Sequence, residues 1–335
     1  MNILLTSAGR RGYLVNYFKE ALAGSGKVIA ANSADCPAFR VADEAVITPL
    51  IYSDEYIPCL LELCRRERVG LLLPLFDVDV PVLAKNKDAF NAVGTTAVVP
   101  SVEVANACND KLRTASALAT KHLPFPKTAA TLDEALAKLS RGEFSFPLVV
   151  KPRWGMGSIG LHVVHDEDEL RAACLLVRGE ISRSYLRFES EEGIGCPFIV
   201  QEMVRGDEYG LDVICDLDSH FRSVSIKKKA AMRAGETDEA MVVDNPELVR
   251  LGERIAAAFP HPGNMDVDVI VGKDGPVVLE MNARFGGGYP FTHIAGVDLP
   301  AAIVAWASGG DVSDEALRPA AGTRAYKDIL ISKIG

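Results

Sequence analysis

The chain has 335 residues, of which 48% are hydrophobic and 24% are charged, and its formal net charge is −9. This is the composition of a globular protein with room for two or three domains. The acidic balance and the lack of a basic block make nucleic acid and anionic membrane poor partners, although a local basic pocket can still bind an anionic small molecule.

The amino end enters a strand pattern directly, without a charged leader and apolar core, so we expect no signal peptide. No apolar run approaches the roughly 20 residues that span a bilayer. The seven cysteines have no Cys-x-x-Cys spacing and do not cluster with the six histidines. We therefore expect reduced, packed thiols rather than a zinc site, and a cytoplasmic protein.

The first hundred residues alternate strand and helix patterns. Apolar strands are predicted over 2–7, 27–31, 45–48 and 70–74, and helices over 13–23 and 55–67. Such alternation indicates a parallel sheet that is covered on both faces, so we predict a Rossmann-like domain over residues 1–105.

The turn after the first strand gives little sign of a dinucleotide site. Its glycines follow Gly-x-x-Gly and not Gly-x-Gly-x-x-Gly, and Asp35 is a weak candidate for binding a ribose. Arg10 and Arg11 in this turn either face an anionic substrate or remain solvated loop charges.

Asp77 and Asp79 follow the strand that ends at residue 74, at the edge where α/β sheets bind ligands. They would bind a substrate ammonium group or cap the next helix, and we expect capping for one of them.

A glycine-rich hairpin is predicted over 146–165. The Gly-Met-Gly-Ser-Ile-Gly sequence at 155–160 has dinucleotide-site spacing, but a strand pattern follows it where that site requires a helix. A glycine flap between strands can close its backbone amides over phosphates. Lys151 ends the first strand, where its ammonium group would reach those phosphates. The alternative is a flexible hairpin with an incidental lysine.

A helix over 167–178 and a loop over 187–195 precede two strands, 198–204 and 205–215, with a bend at 205–206. Glu202 and Glu208 flank this bend. Exposed backbone at 202–204 would bind an adenine edge, and the Glu208 carboxylate would accept hydrogen bonds from both ribose hydroxyls. Acidic hairpins are common on protein surfaces, so this pattern is weak alone.

Two further strands, 265–271 and 277–284, are joined by a tight Gly-Lys-Asp-Gly turn, and each has a polar face. The polar rows are Asp266 and Asp268 on one strand, and Glu280, Asn282 and Arg284 on the other. The apolar row of the second strand is Leu279, Met281 and Ala283. Neighbouring hard oxygen ligands suit Mg²⁺ that also holds phosphates, and an arginine beside them is placed to hold a phosphate oxygen. A solvated hairpin with charge pairs is the alternative when these residues are considered alone.

These motifs follow one another along the chain in a characteristic order, beginning with Asn-Asp-Lys at 109–111 and ending with Glu-Met-Asn-Ala-Arg at 280–284. The order resembles the ATP-grasp superfamily, most closely the large subunit of carbamoyl-phosphate synthase and its single-unit carboxylate–amine ligase relatives. The resemblance implies an α/β (α+β) protein in which the Rossmann-like domain precedes an ATP-grasp fold of two α+β subdomains. These would be residues 106–195 with the flap and 196–335 with the metal-binding strands.

The resemblance also implies roles for individual residues. Phosphates would be bound by Lys111, Lys151 and the flap residues Gly155, Gly157 and Ser158. Adenine would be framed by Glu202, Met203 and Val204, and the ribose held by Glu208. The metal, Mg²⁺ or alternatively Mn²⁺, would be bound by Asp268, Glu280 and Asn282; relatives commonly carry another acid or Gln at the first position. Arg284 would steady the transferred phosphoryl group.

A loop over 230–237 looks like the ligases' substrate-side loop. Arg233 would meet the acyl phosphate or the carboxylate substrate, or else belong to a solvated loop. Tyr289 and His293 either touch substrate or are packed.

The activity implied is that of an ATP- and Mg²⁺-dependent ligase, which activates a carboxylate as an acyl phosphate and couples it to an amine. The alternatives are an acyl-phosphate or carbamoyl-phosphate kinase and a non-catalytic ATP-binding regulator. One unit and no amidotransferase-like stretch argue against carbamoyl phosphate as the product. The sequence names neither the acid nor the amine.

Overall fold

The computed structural model describes residues 1–155, 159–192, 195–233, 235–329 and 331. Its strands form three sheets of five, four and six strands. None of the helices among these residues has the length and apolar character needed to cross a bilayer.

The amino-terminal sheet is parallel and doubly wound. Its strands are β1 Asn2–Thr6, β2 Val28–Asn32, β3 Glu44–Ile47, β4 Val69–Pro74 and β5 Thr96–Ala97, in the order β3-β2-β1-β4-β5. Its helices are α1 Gly12–Leu22, α2 Tyr56–Glu67, α3 Asp79–Lys85 and α4 Lys87–Ala92, with a 3-10 turn at Pro37–Arg40. Ile3 and Leu5 enter one buried cluster while Leu4 enters another, as expected for a strand covered on both faces. The predicted parallel, Rossmann-like sheet covered on both faces is confirmed.

Two helices lead out of this domain, α5 Val102–Asn109 and α6 Lys111–Thr120. The Ser101 hydroxyl caps the first by accepting from the amide of Val104, and Asp110 caps the second by accepting from Leu112 and Arg113.

The four-stranded sheet is antiparallel. Its strands are β6 Thr128–Ala129, β7 Leu148–Pro152, β8 His162–Val164 and β9 Phe198–Glu202, in the order β6-β9-β7-β8, and its helices are α7 Leu132–Ser140, α8 Glu167–Ser182 and α9 Leu186–Glu192. The predicted glycine hairpin is the β7–β8 pair, with Leu148 opposite Val164. This unit has a hydrophobic cluster of its own.

Two predictions in this unit are corrected. The helix predicted to end at residue 178 runs to Ser182, and α9 replaces the loop predicted over 187–195. Tertiary contacts account for α9, because Leu186 is buried and Phe188 stacks on Tyr52 of the amino-terminal domain. Because β9 pairs with β6 and β7, we propose that the subdomain boundary lies after Glu202 rather than at 195/196.

The six-stranded sheet is antiparallel. Its strands are β10 Asp207–Cys215, β11 Phe221–Arg233, β12 Glu236–Val242, β13 Gly263–Gly272, β14 Gly275–Asn282 and β15 Arg324–Tyr326, in the order β14-β13-β10-β11-β12-β15. Its helices are α10 Pro246–Ala258, α11 Tyr289–Ile294 and α12 Leu299–Ala307, with a 3-10 turn at Asp314–Leu317. Val267 and Met281 share one buried cluster with Leu4 and Leu72. The amino-terminal domain and this sheet are therefore joined by a common core.

The structure corrects two expectations in this part. Within the loop predicted over 230–237, residues 230–233 belong to β11 and residues 236–237 to β12. A bulge opposite Asp268 and Val269 makes Leu279 the extra residue, so Val278 fills the core position expected for Leu279. The alternation of Glu280, Met281 and Asn282 is as predicted.

Candidate active site

One face of the six-stranded sheet carries the predicted polar rows. Asp268 pairs with Glu280 across β13 and β14, and Asp266 pairs with Asn282 one step further along. The sequence predicted that Asp268 and Glu280 would be neighbours, and this register confirms it. Asn282 is buried, whereas Asp268 and Glu280 keep 34% and 22% of their side chains exposed. An incoming ligand can therefore reach both carboxylates.

A lysine that the sequence analysis did not select holds two of the predicted site residues together. Lys229 Nζ donates to Asp268 Oδ1 and to Glu208 Oε1, each at 2.7 Å. Burial alone would lower the pKa of Lys229, but the two carboxylates outweigh it and raise that pKa above its ordinary value. The available signal was the strand period of two, which puts Lys227 and Lys229 on one face of β11.

Negative charge is concentrated beside Lys229. Burial raises the pKa of Asp268 to about 6; Lys229 opposes this shift, and the charges of Asp266 and Glu280 add to it. Crowded carboxylates of this kind are stabilised by a cation, and together with the Asn282 amide they form the hard oxygen set that Mg²⁺ prefers. The residues present therefore fit a divalent metal ion.

Two lysines that were predicted to bind phosphates lie near these acids. Lys111 Nζ is 3.8 Å from Glu280 Oε2 and donates to the carbonyl of Gly155. Burial and then the charge of Lys111 lower the pKa of Lys151 to about 8, while Glu280 and Asp268 oppose the shift. The structure thus brings a strand-end lysine, a helix-start lysine and two acidic residues into one electrostatic cluster.

The cluster opens into a narrow cleft between the three parts of the chain. The amino-terminal domain contributes Asp77, the four-stranded unit contributes Gly155 and Tyr185, and the six-stranded sheet contributes Glu280 and Asn282. Val78, Cys108, Asn109 and Lys111 complete the lining. A molecule bound here would touch all three parts at once.

The glycine flap begins with a backbone that favours glycine. Gly155 has a φ of +112°, and a Cβ atom there would lie 2.8 Å from a side-chain carbon of Leu186. Gly157 and Ser158, the other two predicted flap residues, lie outside the described residues.

The predicted adenine and ribose residues lie where β9 ends and β10 begins. Glu202 Oε1 accepts from the backbone amide of Lys127 at 2.9 Å, Met203 is exposed and Val204 is half-buried. Glu208 faces the metal row through its bond to Lys229. The ribose and metal candidates are therefore connected by one ammonium group.

Comparison with known proteins agrees with this geometry. Residues 108–288 match the ATP-grasp domain family, and residues 3–98 match the PylC-like, N-terminal domain family. The chain belongs to the ATP-grasp family.

Two relatives of this ATP-grasp chain are enzymes with different names and lengths. It is 27% identical over 277 residues to the carbamoyl phosphate synthase large chain of Mesorhizobium japonicum, covering 76% of this chain and 23% of the relative. It is 28% identical over 159 residues to the 3-methyl-D-ornithine–L-lysine ligase of Methanosarcina barkeri, covering 46% and 37% respectively. The chain thus spans less than two fifths of the length of either relative.

A solved structure supports the fold. Biotin carboxylase from Campylobacter jejuni, determined as a β-γ-ATP complex, superposes with a TM-score of 0.74 at 17% sequence identity, covering 95% of this chain and 73% of that one.

Arg284 of the ATP-grasp domain is held by carboxylates, where the sequence predicted a guanidinium facing a phosphate. Its Nη1 donates to Asp266 Oδ2 at 2.9 Å, and its Nη2 donates to Asp77 Oδ2 at 3.0 Å. Burial would lower the pKa of Arg284, but Asp77 and Asp266 outweigh it and raise that pKa. The sequence analysis gave Asp77 two alternatives, binding a substrate or capping the next helix, and α3 has no side-chain cap.

Other candidates lie away from the metal row or are already engaged. Arg233 is exposed at its hairpin tip and donates to Asp238 Oδ1 at 2.6 Å. No contact recorded among the described residues joins it to Asp268, Glu280 or Asn282. Asp79 does not cap α3, since it is buried and accepts from three hydroxyl groups, those of Thr6, Ser7 and Tyr56.

Three further residues have structural contacts. Asp35 pairs with Arg40 on the surface. Tyr289 is fully buried and its hydroxyl donates to the carbonyl of Val297. His293 stacks on Tyr17 with ring centroids 3.7 Å apart. Packing, one of the two alternatives for Tyr289 and His293, is what the structure contains.

Proposed function

We propose that this protein is an ATP- and Mg²⁺-dependent ligase that activates a carboxylate as an acyl phosphate and joins it to an amine, releasing ADP and phosphate. One observation carries the proposal: Lys111 and Glu280 lie 3.8 Å apart in a cleft that all three parts of the chain line, and Lys151 is close enough for the charges of Lys111, Glu280 and Asp268 to act on its pKa. Cations for phosphates and oxygen ligands for a metal are thus side by side, as phosphoryl transfer requires.

The nucleotide would lie between the four-stranded unit and the six-stranded sheet. Lys111, Lys151 and the flap from Gly155, with Gly157 and Ser158, would hold the phosphates. The backbone of 202–204, which includes Glu202, Met203 and Val204, would border the adenine. Glu208 would accept hydrogen bonds from the ribose hydroxyls with the carboxylate oxygen that does not accept from Lys229.

Asp268, Glu280 and Asn282 would hold the metal, with Mg²⁺ preferred and Mn²⁺ as an alternative. The ion would neutralise phosphate charge and fix the γ-phosphoryl group for attack. Lys229 holds Asp268 at one oxygen, which leaves the other oxygen for the metal. Lys229 is thus a positioning residue, since it acts through Asp268 and Glu208.

The reaction needs positioning and charge neutralisation rather than a protein nucleophile. A carboxylate is a poor electrophile because its leaving group would be oxide. A substrate carboxylate oxygen would attack the γ-phosphorus and displace ADP. The amine nitrogen would then attack the acyl carbon, phosphate would leave, and the nitrogen would lose its proton.

Two arginines complete the proposal. Arg284 has five N–H groups. Its Nη2 donates one N–H to Asp77 Oδ2 and has a second N–H left. We propose that this second N–H steadies the transferred phosphoryl group from a fixed position. Arg233, on an exposed hairpin tip, would meet the substrate side when a ligand is bound.

The setting of the reaction is also proposed. The seven cysteines are free, which supports a reducing compartment, the cytoplasm. The partners would be a small carboxylic acid and a small amine.

The test is ADP release from Mg·ATP with a panel of carboxylic acids and bicarbonate, each assayed with and without a panel of amines. The proposal predicts ADP release that needs both an acid and an amine, with a new C–N bond in the product by mass spectrometry. Amine-independent ADP release with an accumulating acyl phosphate would identify a kinase instead. ATP binding without ADP release under every condition would identify a non-catalytic regulator.

A further inference from the structure

A buried ion pair joins the base of the glycine flap to the start of the helix that carries Lys111. Arg153 directly follows β7, and Asp110 directly precedes α6. Arg153 Nε donates to Asp110 Oδ1 at 2.7 Å, and its Nη2 donates to Asp110 Oδ2 at 2.6 Å. The two side chains are only 12% and 5% exposed. Two parallel charged hydrogen bonds fix both the distance and the direction between two groups.

Two further hydrogen bonds join the same two segments. The backbone amide of Lys111 donates to the carbonyl of Arg153 at 3.0 Å, and Lys111 Nζ donates to the carbonyl of Gly155. The backbone amide of Arg153 in turn donates to the carbonyl of Pro197 at 2.9 Å, just before β9. The start of α6 is therefore held against the base of the flap by backbone and side-chain bonds together.

The helix cap does not account for the pair. Asp110 Oδ1 accepts from the amides of Leu112 and Arg113, and an asparagine at this position would cap the helix as well. The charge of Asp110 also has a second cation nearby, because Arg113 Nε lies 3.3 Å from its Oδ2 on an exposed side chain. What Arg153 adds is a rigid connection between α6 and the four-stranded sheet.

The ammonium group of Lys111 depends on this connection for its position. Its side chain is a flexible four-carbon stem, and its Nζ is 3.8 Å from Glu280 Oε2, beyond hydrogen-bonding distance. The bond to the Gly155 carbonyl ties it to the flap itself. Its place in the cleft is therefore set by how the start of α6 is held relative to the flap. A charge that neutralises phosphate is most effective when it is held in place beforehand.

The pair also lies between the two lysines that would bind phosphates. Lys111 is the neighbour of Asp110 in the chain, and Lys151 lies two residues before Arg153 in β7. Burial and then the charge of Lys111 lower the pKa of Lys151, so the two ammonium groups are close enough to act on each other. Like charges repel, so a rigid support between their segments is needed to keep them together until an anion binds.

We propose that Asp110 and Arg153 are positioning residues for nucleotide binding, which act through Lys111 by holding its ammonium group and the flap at a fixed separation. The inference rests on the proposed function, in which Lys111 binds phosphates. It assigns a role to two residues that lie outside the phosphate and metal sets.

The test compares a ligand that has phosphates with one that has none. Calorimetry measures the binding of a non-hydrolysable ATP analogue with Mg²⁺, and the binding of adenosine. The variants are Arg153→Gln, Asp110→Asn, which keeps an oxygen for the helix cap, Lys111→Met, and the double variant of Arg153→Gln with Lys111→Met. The matched control is Arg113→Gln, which removes the exposed cation beside the same carboxylate.

We expect Arg153→Gln and Asp110→Asn to weaken binding of the ATP analogue roughly 10-fold, as for the loss of a charged hydrogen bond, and to leave adenosine binding unchanged. In the Lys111→Met background, Arg153→Gln should cause no further loss, because no ammonium group remains to be positioned. Arg113→Gln should bind both ligands like the wild type. Arg153→Lys lacks the two parallel N–H groups and should show the same selective loss; it carries the comparison if Arg153→Gln does not fold.

Three results would overturn the positioning role. Equal losses for the analogue and for adenosine would mean that the pair only maintains the fold. A loss in the double variant beyond that of Lys111→Met would mean that Arg153 acts independently of Lys111. Wild-type affinity for the analogue in Arg153→Gln and Asp110→Asn would mean that the pair has no influence on the phosphates.

Failure of the ligase function has a different signature. It would be a selective loss of analogue binding in Arg153→Gln, together with no ADP release by the wild type for any acid and amine. That result would overturn the ligase function and leave the positioning role standing.

Discussion

Arg284 and Asp77 lie 207 residues apart in the chain and form a two-point ion pair, with Nε 2.7 Å from Oδ1 and Nη2 3.0 Å from Oδ2. The pair joins the carboxyl edge of the amino-terminal sheet to the segment that directly follows β14, the strand that carries Glu280 and Asn282. Both side chains are largely buried, at 5% and 11% exposure. The amino-terminal domain therefore sets the position of a residue in the candidate active site.

Breaking this pair should destabilise the protein. Asp77→Ala leaves the buried guanidinium with Asp266 alone, and we expect it to reduce the free energy of unfolding by about 3–5 kcal/mol, the usual cost of removing one partner of a buried pair. Urea denaturation measures this. The matched control is Asp35→Ala, which removes the surface partner of Arg40 and should cost at most about 1 kcal/mol. Equal losses for both variants would contradict the anchoring role.

Glu280→Gln and Lys151→Ala should separate folding from turnover. Each removes one charge that would neutralise phosphate or hold the metal, so we expect ADP release to fall about 10²–10³-fold, by analogy with the loss of an oxyanion donor. Circular dichroism and thermal unfolding should remain near wild type. Asp274→Asn and Lys273→Ala, at the exposed tip of the β13–β14 hairpin that carries Glu280, serve as controls. Near-normal ADP release by the two site variants would rule out these site roles.

Nucleotide binding should depend on pH through Lys151. Burial lowers the pKa of Lys151 to about 8, so the ammonium group loses its proton as the pH rises through that value. Phosphates bind the protonated form, and metal-free ATP affinity should therefore fall, up to tenfold per pH unit, above about pH 8. Calorimetry in EDTA from pH 7 to 9.5 measures this. Lys151→Arg stays charged, so its ATP affinity should change little above pH 8. If the affinity of that variant falls as in the wild type, another group causes the pH dependence.

The lowered pKa of Lys151 also determines how the free energy of unfolding depends on pH. The folded pKa of Lys151 is below its unfolded value, so the unfolded chain binds more protons between about pH 8 and the ordinary lysine value. Stability from this group should rise with pH over that window.

Lys229→Met should expose the role of the bridging lysine. Without its ammonium group, Asp268 and Glu208 face each other with no cation, and we expect a loss of about 1–3 kcal/mol at pH 7.5. The loss should shrink at pH 5, because the pKa of Asp268 is already raised to about 6 and the protonated carboxyl needs no counterion. Urea denaturation at both pH values tests this. Lys228→Met, which removes an exposed pair with Asp207, is the control. A loss that does not change with pH would mean that Lys229 acts by packing.

Local periodicity was enough to predict the parts that lie along single strands. The alternation in β13 and β14, with a Gly-x-x-Gly turn between them, predicted Asp268 and Glu280 near the same level on neighbouring strands, and the structure fixes the register that pairs them. The glycine pattern at 155–160 followed by a strand likewise indicated a hairpin rather than a dinucleotide turn.

Contacts between distant segments could not be read from local patterns. The partner of Arg284 depends on how the amino-terminal sheet docks, and α9 depends on Leu186 and Phe188 finding neighbours in other elements. The bulge at Leu279 depends on the partner strand. Lys229 was visible as one lysine in a run of three, and only the pairing of β10 with β11 and β13 reveals that it bridges Glu208 and Asp268.

The most direct test of the central claim is a crystal structure of the protein with Mg²⁺ and a non-hydrolysable ATP analogue. Our account predicts a metal about 2.0–2.1 Å from carboxylate oxygens of Glu280 and the Asn282 amide oxygen, with the phosphates beneath Lys111 and Lys151. A nucleotide bound elsewhere, or a metal held without Glu280 and Asn282, would contradict it.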